Sequence, residues 1–264
     1  MRPAAARWLA LLACSLALIV IPTAAALAPI IETPAGALWR VVHDLCVTDR
    51  RYIGASAPCL SVNLQQGWAV VKDPREPTHI LLVPIRRIKG IESPGLLAAG
   101  SPNYWQYAWD ARRYFEHLAG RRVPREDTAL VINSITGRTQ DQLHIHIDCL
   151  RPDIAQALRE HANKIGAVWR PLGVPVVGHD VLVRRLDGPD FGDNDPFKLL
   201  ARGVPGARAD MGDETLAAVG AVFADGRKGF VLISHRANPA IGDLGSGEEI
   251  LDHTCKVLAS PNAL

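Results

Sequence analysis

The chain has 264 residues, of which 48% are hydrophobic and 21% are charged, and this composition excludes a disordered or fibrous protein. Arg2 and Arg7 account for the small positive charge, because 27 basic and 27 acidic residues remain beyond residue 28. A balanced chain lacks the basic face that neutralises phosphates, so nucleic acid is not expected as a partner.

The N-terminal residues have the pattern of an export signal. Residues 8–21 are apolar apart from Ser15, and residues 22–28 are mostly small, as signal peptidase requires. Arginines that precede the apolar segment stay in the cytosol, so we expect the rest of the chain to be exported. Weakly polar sequence continues to residue 31 and is long enough to span a bilayer, which takes about 20 residues. We therefore expect residues 1–28 to be either a cleaved signal peptide or a retained membrane anchor.

The next part of the chain predicts helices and strands in mixed order. Apolar spacing and turn residues predict a helix, two strands, a helix and two more strands, at 37–44, 67–71, 79–84, 103–118, 129–133 and 143–150. Such a succession is typical of an α+β fold with an antiparallel sheet. We assign residues 29–152 to this first lobe.

Residues 153–264 are predicted to form a second, smaller α+β lobe. Its expected elements are a helix, a strand, a surface loop, two further strands and a closing helix, at 153–168, 180–185, 186–196, 216–223, 229–234 and 248–258. The hairpin at 216–234 repeats the outline of residues 67–84. This echo suggests that the second lobe is a degenerate copy of the first.

Four cysteines lie beyond the N-terminal segment, namely Cys46, Cys59, Cys149 and Cys255. An even number in an exported chain predicts two disulfides. The spacing favours a local Cys46–Cys59 bond and a long-range Cys149–Cys255 bond, although three pairings are possible.

The chemistry-bearing motif is a pair of alternating histidines. Residues two apart in a strand share a face, so His144 and His146 project to one side with Gln142, while Leu143 and Ile145 project to the other. Paired imidazoles can bind a metal, or one can be a nucleophile assisted by the other. They can also be ordinary residues of an exposed strand, and the pair alone leaves these three interpretations open.

The residues around this pair resemble the signature of the histidine-triad nucleotide hydrolases and transferases. Asn133 ends the preceding strand, Gly137 permits a tight loop, and residues 142–147 have the triad pattern with Gln142 in place of the first histidine. His79 stands before an apolar run that ends in a proline, as in an early strand of that superfamily. The resemblance implies a HIT-like antiparallel sheet with flanking helices.

Within that superfamily the chain most resembles the bacterial CDP-diacylglycerol pyrophosphatases. The similar segments extend over nearly the whole chain and comprise residues 81–84, 92–94, 101–105, 133–134, 136–140, 149–153 and 252–253. The resemblance implies hydrolysis of CDP-diacylglycerol to CMP and phosphatidate. It also implies a lipid-linked substrate at a membrane surface, with the catalytic domain in the periplasm beside the inner membrane; no protein partner is indicated.

The resemblance further implies a mechanism without metal or cofactor. His144 would be the nucleophile that forms a cytidylyl-histidine intermediate, and His146 would hold a phosphate oxygen or the leaving oxygen. The remaining expected phosphate-binding residues are Asn133, Arg138, Thr139, Gln140, Gln142 and His79.

Two other functions compete with this hypothesis. In the first, a metal-dependent hydrolase would use His144 and His146 as ligands, with Asp148 or a distant histidine as the third. In the second, the chain would be a non-catalytic envelope protein that binds lipid.

Overall fold

The computed structural model describes residues 35–259, which form a nine-stranded sheet with antiparallel neighbours throughout. From edge to edge the order is β1-β2-β3-β5-β4-β8-β9-β7-β6. The strands are β1 (Ser61–Asn63), β2 (Trp68–Lys72), β3 (Ile80–Pro84), β4 (Thr128–Ile132), β5 (Ile145–Cys149), β6 (Arg170–Pro171), β7 (Leu182–Asp187), β8 (Glu214–Val222) and β9 (Lys228–Arg236). An antiparallel sheet with helices confirms the predicted α+β class.

The described helices are short except for one. They are α1 (Ala37–Arg40), α2 (Thr48–Tyr52), α3 (Tyr104–Leu118), α4 (Pro152–Glu160) and α5 (Pro196–Gly203). Helix α3 confirms the prediction for 103–118, and the side chain of Asn103 accepts a hydrogen bond from the Gln106 N–H at its start. Helix α5 was not predicted; Asp195 caps it in the same way, and Pro196 occupies its first position.

Two predicted helices differ in extent. The helix expected at 37–44 continues through a π-helical segment, Val41–Val47, to Tyr52, because no glycine interrupts it before Gly54. The helix expected at 153–168 ends at Glu160, and the Gly166 carbonyl accepts a hydrogen bond from the Arg185 N–H instead.

The closing helix expected at 248–258 is wrong. Two 3-10 turns, Gly247–Ile250 and Lys256–Ala259, take its place. Between them the Asp252 N–H donates to the Cys149 carbonyl, and Ile250 accepts from the Arg151 N–H. These bonds to the end of β5 extend the backbone where a helix would otherwise continue.

The two faces of the sheet are covered differently. Helices α3 and α5 pack on one face, over a continuous core that includes Leu82, Leu130 and Leu232. On the opposite face two separate clusters cover the sheet: α4 lies over a patch that includes Val131, whereas α1 and the π-helical segment Val41–Val47 lie over a patch that includes Leu81. A strand residue between Leu81 and Val131 on that face therefore lies between the two covering layers.

The two halves of the chain share one order of elements. The first half runs β2-β3-α3-β4-β5 and the second runs β6-β7-α5-β8-β9. Read inward from each edge, the sheet orders β2-β3-β5-β4 and β6-β7-β9-β8 also match. In this comparison the β8–β9 hairpin corresponds to β4–β5 and not to residues 67–84. The division into lobes at residue 152 stays a prediction, and β4 and β8 join the halves in one sheet.

Both expected disulfides are present, Cys46–Cys59 and Cys149–Cys255. The predicted signal or anchor at residues 1–28 lies outside the described residues. Between residues 35 and 259, the structure has no helix of the length and apolar character needed to cross a membrane.

Candidate active site

The two motif histidines lie where the covering layers leave the sheet open. In β5, His146 pairs with Leu81 of β3 on one side and with Val131 of β4 on the other. Ile145 and Ile147 point to the opposite face and belong to the core under α3. The predicted alternation is therefore confirmed, because the apolar residues pack inward and the imidazoles occupy the other face.

His144 is held in a single tautomer by the backbone. Its Nδ1–H donates to the carbonyl oxygen of Gln142 at 2.7 Å, and because a carbonyl can only accept, Nδ1 must carry the proton. Nε2 then has a free lone pair, with no hydrogen-bond partner among residues 35–259, and it is not one of the buried unpaired polar atoms. The side chain is 6% exposed, and this burial lowers the pKa of His144 despite the backbone hydrogen bond. His144 is thus neutral near pH 7.

His146, which lies next to His144, forms a buried pair with His79. His146 Nδ1 lies 2.9 Å from His79 Nε2, and the residues are 4% and 1% exposed. Burial, followed by the neighbouring imidazoles, lowers the pKa of His146 well below its usual value. Burial, followed by the charge of His253, lowers the pKa of His79 to about 4. Both rings are therefore neutral near pH 7.

Two carboxylates flank this pair. Glu248 Oε2 lies 3.3 Å from His146 Nδ1, and Asp73 Oδ2 lies 3.8 Å from His79 Nδ1. Both carboxylates favour a proton on the nitrogen that faces them, so we assign the shared proton to His146 Nδ1, with His79 Nε2 as acceptor. His146 Nε2 is then a buried acceptor without a partner in the described chain.

His253 closes the site from the C-terminal end of the chain. Its ring stacks on His79 with centroids 4.6 Å apart, and its Nδ1–H donates to Asp148 Oδ2 at 2.7 Å. This hydrogen bond raises the pKa of His253. Asp148 is fully buried and also accepts from the Thr78 hydroxyl at 2.8 Å. The Cys149–Cys255 disulfide lies beside these residues and joins the two segments that carry them.

The loop after β4 is docked on residues 244–245. The hydroxyl groups of Ser134 and Thr136 both donate to the Leu244 carbonyl, at 2.6 and 2.8 Å, and the Ser134 N–H donates to the Gly245 carbonyl. A Cβ on Gly137 would lie 2.3 Å from the Gly245 oxygen, so only glycine fits there. The predicted glycine loop is confirmed, and its geometry depends on a segment more than 100 residues away.

Arg138 lies beside this loop but is already paired. Its Nη1–H donates to Glu92 at 2.6 Å and its Nη2–H donates to Asp141 at 2.9 Å, with only 7% of the side chain exposed. A Cβ on Gly90 would lie 2.2 Å from Nη1, so the backbone passes close to the guanidinium. The structure therefore places Arg138 in a network of carboxylates, and the phosphate contact expected from the sequence stays a prediction.

The other expected phosphate-binding residues have varied surroundings. Gln142 is fully buried, and its amide donates to the carbonyls of Pro84 and Arg86, both at 2.9 Å. Gln140 accepts from the Leu38 N–H at the start of α1. The Asn133 amide donates to Glu248 Oε1 at 2.6 Å, and Thr139 is exposed. Two of these side chains thus hold backbone segments, one holds Glu248, and Thr139 faces solvent.

Comparison with known proteins places this site in a family. A family profile described as CDP-diacylglycerol pyrophosphatase matches residues 33–259. A protein of Yersinia pestis named CDP-diacylglycerol pyrophosphatase is 42% identical over 224 residues, which cover 85% of each chain. The chain belongs to the CDP-diacylglycerol pyrophosphatase family. The matched region covers both halves of the sheet, so it includes Glu248 and His253 as well as the motif histidines.

Some residues of this CDP-diacylglycerol pyrophosphatase site were missed in the sequence. Glu248 has no local motif, and Asp73 stands in an ordinary charged connection between strands. His253 had a signal, since residues 252–253 carry part of the family resemblance, but it has no spacing partner. Only the sheet register and the path of the C-terminal segment bring these groups to His146 and His79.

The CDP-diacylglycerol pyrophosphatase site also contains groups with the donors of a metal site. His79, His146 and Glu248 form one set, and His79, Asp148 and His253 form another, each with ligand atoms within 4.8 Å of one another. His144 belongs to no such set among residues 35–259. The pair of ligands named in the metal-dependent hypothesis, His144 with His146, is therefore not a ready-made chelate.

Proposed function

We propose that the chain hydrolyses CDP-diacylglycerol to CMP and phosphatidate, with Nε2 of His144 as the nucleophile. The observation that carries this proposal is the hydrogen bond from His144 Nδ1 to the Gln142 carbonyl, which leaves Nε2 unprotonated with a free lone pair. Nucleophilic catalysis by histidine requires this tautomer. Family membership supplies the substrate class, and the chemistry is of the histidine-triad type.

In the first step, the Nε2 lone pair attacks the phosphorus attached to cytidine. The bond from that phosphorus to the bridging oxygen breaks, and phosphatidate leaves with the electron pair. A phosphate monoester is a stable anion, so this departure needs no proton donor. The His144 Nδ1–H stays on the Gln142 carbonyl, which supports the positive charge of the cytidylated ring.

In the second step, water attacks the same phosphorus and the phosphorus–nitrogen bond breaks. The electron pair returns to His144 Nε2, and CMP is released. His146 Nε2 accepts the proton of the water, because it is an unpaired buried acceptor and its ring lies edge-on to His144 at 4.7 Å between centroids. Glu248, 3.3 Å from His146 Nδ1, stabilises the resulting imidazolium. Once protonated, His146 has the donor needed to hold a phosphate oxygen, which is the role expected from the sequence.

The remaining predicted residues support the site in different ways. Gln142 and Gln140 position backbone segments, and Arg138 fixes the loop through Glu92 and Asp141, because their polar atoms are already paired within the protein. Asn133 positions Glu248, and His79 acts on His146. Thr139 is exposed, and unlike Thr136 its hydroxyl has no hydrogen-bond partner among residues 35–259, so it is our choice for a direct phosphate contact.

The site is proposed to work at the outer surface of the inner membrane. Two disulfides support an oxidising compartment, in agreement with residues 1–28 as an export signal. N-terminal sequencing of the protein from membrane and soluble periplasmic fractions distinguishes a retained anchor from a cleaved signal.

The test compares His144→Ala with His161→Ala, a histidine outside the site. The purified proteins are mixed with CDP-diacylglycerol labelled in the cytidine, quenched in denaturant, and assayed for CMP and for label on the protein. His144→Ala should lose at least roughly 10⁴-fold in turnover and carry no label, because the nucleophile is absent. His161→Ala should behave as wild type.

Two results would overturn the proposal. One is full activity of His144→Ala. The other is wild-type activity that disappears with EDTA and returns with zinc, which would favour the metal-dependent hydrolase. A wild-type protein without any turnover would instead support the non-catalytic lipid-binding hypothesis.

A further inference from the structure

A second histidine cluster lies outside the proposed catalytic site. His179 precedes β7, His235 lies near the end of β9, and Asp243 lies in the loop after that strand. His179 Nδ1 lies 3.2 Å from Asp243 Oδ2, and His235 Nε2 lies 3.3 Å from Asp243 Oδ1. The two imidazole rings stack with centroids 4.4 Å apart. One atom from each residue lies within 4.8 Å of the others, so three ligand atoms of two kinds converge on one point.

We propose that His179, His235 and Asp243 bind a divalent transition-metal ion of the Zn²⁺ class. Two imidazoles and one carboxylate are a donor set that zinc accepts in proteins, and a softer sulfur ligand is not needed. Both histidines and the aspartate are less exposed than an ordinary surface cluster, with side-chain exposures of 23%, 9% and 13%.

The outer nitrogens of the two rings provide the strongest support. A histidine that binds a metal through one nitrogen usually donates a hydrogen bond from the other, which fixes its orientation. His235 Nδ1 lies 2.9 Å from the Thr215 hydroxyl, and His179 Nε2 lies 3.2 Å from Glu249 Oε2. Each ring is thus held by an acceptor on the side away from Asp243.

The aspartate is also positioned. Its Oδ1 accepts a hydrogen bond from the Gly245 N–H at 2.9 Å, which fixes the carboxylate against its own loop. Binding of one ion by both rings would open the present interplanar angle of 13°, because the lone pairs of stacked rings run parallel.

The proposed ion site is linked to the loop after β4. Asp243 directly precedes Leu244 and Gly245, whose carbonyls hold Ser134 and Thr136. The same segment continues to Glu248, which contacts His146. An ion that joins Asp243 to β9 and to the start of β7 would therefore stabilise the segment on which the loop after β4 is docked. Its role is structural, and no step of the proposed hydrolysis passes through it.

The experiment measures zinc binding by the purified protein, prepared without a polyhistidine tag and treated with a chelator. Competition with a chromogenic chelator should give one tight equivalent of Zn²⁺ per chain. At a free Zn²⁺ concentration 100-fold above Kd, Tm should rise by roughly 5–10 °C, because the ion binds the folded state alone.

Variants decide where that equivalent binds. His179→Gln and Asp243→Asn should each abolish the tight equivalent and the Tm shift; His179 is partly exposed, so its replacement leaves the core intact. His253→Gln is the matched control, because it removes a histidine from the ligand set of the catalytic site while leaving the proposed ion site unchanged. Far-ultraviolet circular dichroism confirms that each variant is folded.

Two outcomes overturn the proposal. Wild-type protein that binds no stoichiometric Zn²⁺ does so directly. The reverse pattern, in which His253→Gln loses the equivalent and His179→Gln retains it, would assign the ion to the catalytic histidines.

Discussion

The two halves of the sheet contain the same succession of elements but differ in how their last two strands are joined. In the first half, β4 and β5 have five residues each and are connected by the long loop 133–144. In the second half, β8 and β9 have nine residues each and are connected by the tight turn 223–227. In the second half, the backbone groups of the long strands pair with each other almost up to the turn. In the first half, the shorter strands leave a long loop, and His144 is the last residue of that loop before β5.

The second half instead contributes the C-terminal segment that comes after its hairpin. This segment supplies Glu248 to His146 and the docking carbonyls to the loop after β4, and the chain then returns with His253 to Asp148. A similar order of elements therefore does not give two similar sites. The proposed site therefore combines a loop from one half with a C-terminal segment from the other, and we expect it to be active only when both are in place.

Removal of each disulfide should give the largest effects and tests the different contributions of the first half and the C-terminal segment. Cys46–Cys59 closes 13 residues within the first half, whereas Cys149–Cys255 closes 106 residues and joins β5 to the C-terminal segment. Loop-closure entropy predicts a loss of about 3 kcal/mol in the free energy of unfolding for the Cys46→Ala/Cys59→Ala variant and about 4.7 kcal/mol for Cys149→Ala/Cys255→Ala. Urea denaturation measures both.

Activity should separate the two disulfide variants further. The Cys149→Ala/Cys255→Ala variant should lose activity even where it is fully folded, because the segment carrying His253 is no longer joined to β5. The Cys46→Ala/Cys59→Ala variant should keep most of its activity. Equal losses of activity in the two folded variants would contradict the dependence of the site on the C-terminal segment.

The two connecting loops can be compared through one glycine in each. Alanine at Gly137 would collide with the backbone of Gly245, at a cost of about 1–3 kcal/mol in the free energy of unfolding, and would displace the loop from residues 244–245. Alanine at Gly226 meets no atom within 4 Å but must adopt a φ of +79°, at a cost of about 1 kcal/mol. Only Gly137→Ala should reduce kcat. Similar kcat values for Gly137→Ala and Gly226→Ala would show that docking of the loop is unimportant.

The sequence predicted the elements whose signals are local. Helix α3 and the strand pairs β2–β3, β4–β5 and β8–β9 agree with periodicity and turn residues. The predicted alternation also agrees with the face of β5 on which His146 lies, and His144 directly precedes that strand. The end of the chain could not be predicted in this way. Helical spacing at 248–258 is overridden by hydrogen bonds to residues 149 and 151, which are far away in sequence.

The partners of the charged groups also lie far away in sequence and could not be predicted locally. Arg138 comes directly after a glycine in a polar loop and therefore has the pattern of a phosphate ligand, but Glu92, 46 residues earlier, occupies its guanidinium. Glu248 has no pattern at all and reaches His146 only because its segment docks on the loop after β4. Nearby residues thus predict the fold class and the pair of histidines proposed as catalytic, whereas the partners of that pair depend on tertiary contacts.

Glu248 provides a test of the contribution that the second half makes to the catalytic pair. Glu248→Gln removes the charge beside His146 Nδ1 but retains the size of the side chain. We expect kcat to fall roughly 10- to 100-fold, because a hydrogen bond or contact to a charged group contributes about 1.5–3 kcal/mol. Glu126→Gln, in the first half and outside the site, is the control. Unchanged kcat in Glu248→Gln would remove Glu248 from the second step.

The last test concerns the pH dependence of stability, which has opposite signs for the two segments. His79, in the first half, titrates at about 4 in the folded protein, below the ordinary histidine value of about 6.5. The unfolded chain binds its proton first, so the free energy of unfolding falls as pH decreases from about 6.5 to 4. His253, in the C-terminal segment, has a raised pKa, so its contribution is complete below about 6.5 and is lost as pH rises through that raised value. Urea midpoints are therefore measured between pH 4.5 and 8. For His79→Gln, the midpoint should fall less steeply than in the wild type as pH decreases below about 6.5. For His253→Gln, the midpoint should no longer rise as pH decreases from the raised pKa to about 6.5. Parallel curves for the two variants would contradict this prediction. They would mean that burial of His79 and the hydrogen bond from His253 to Asp148 do not change the pH dependence of the free energy of unfolding.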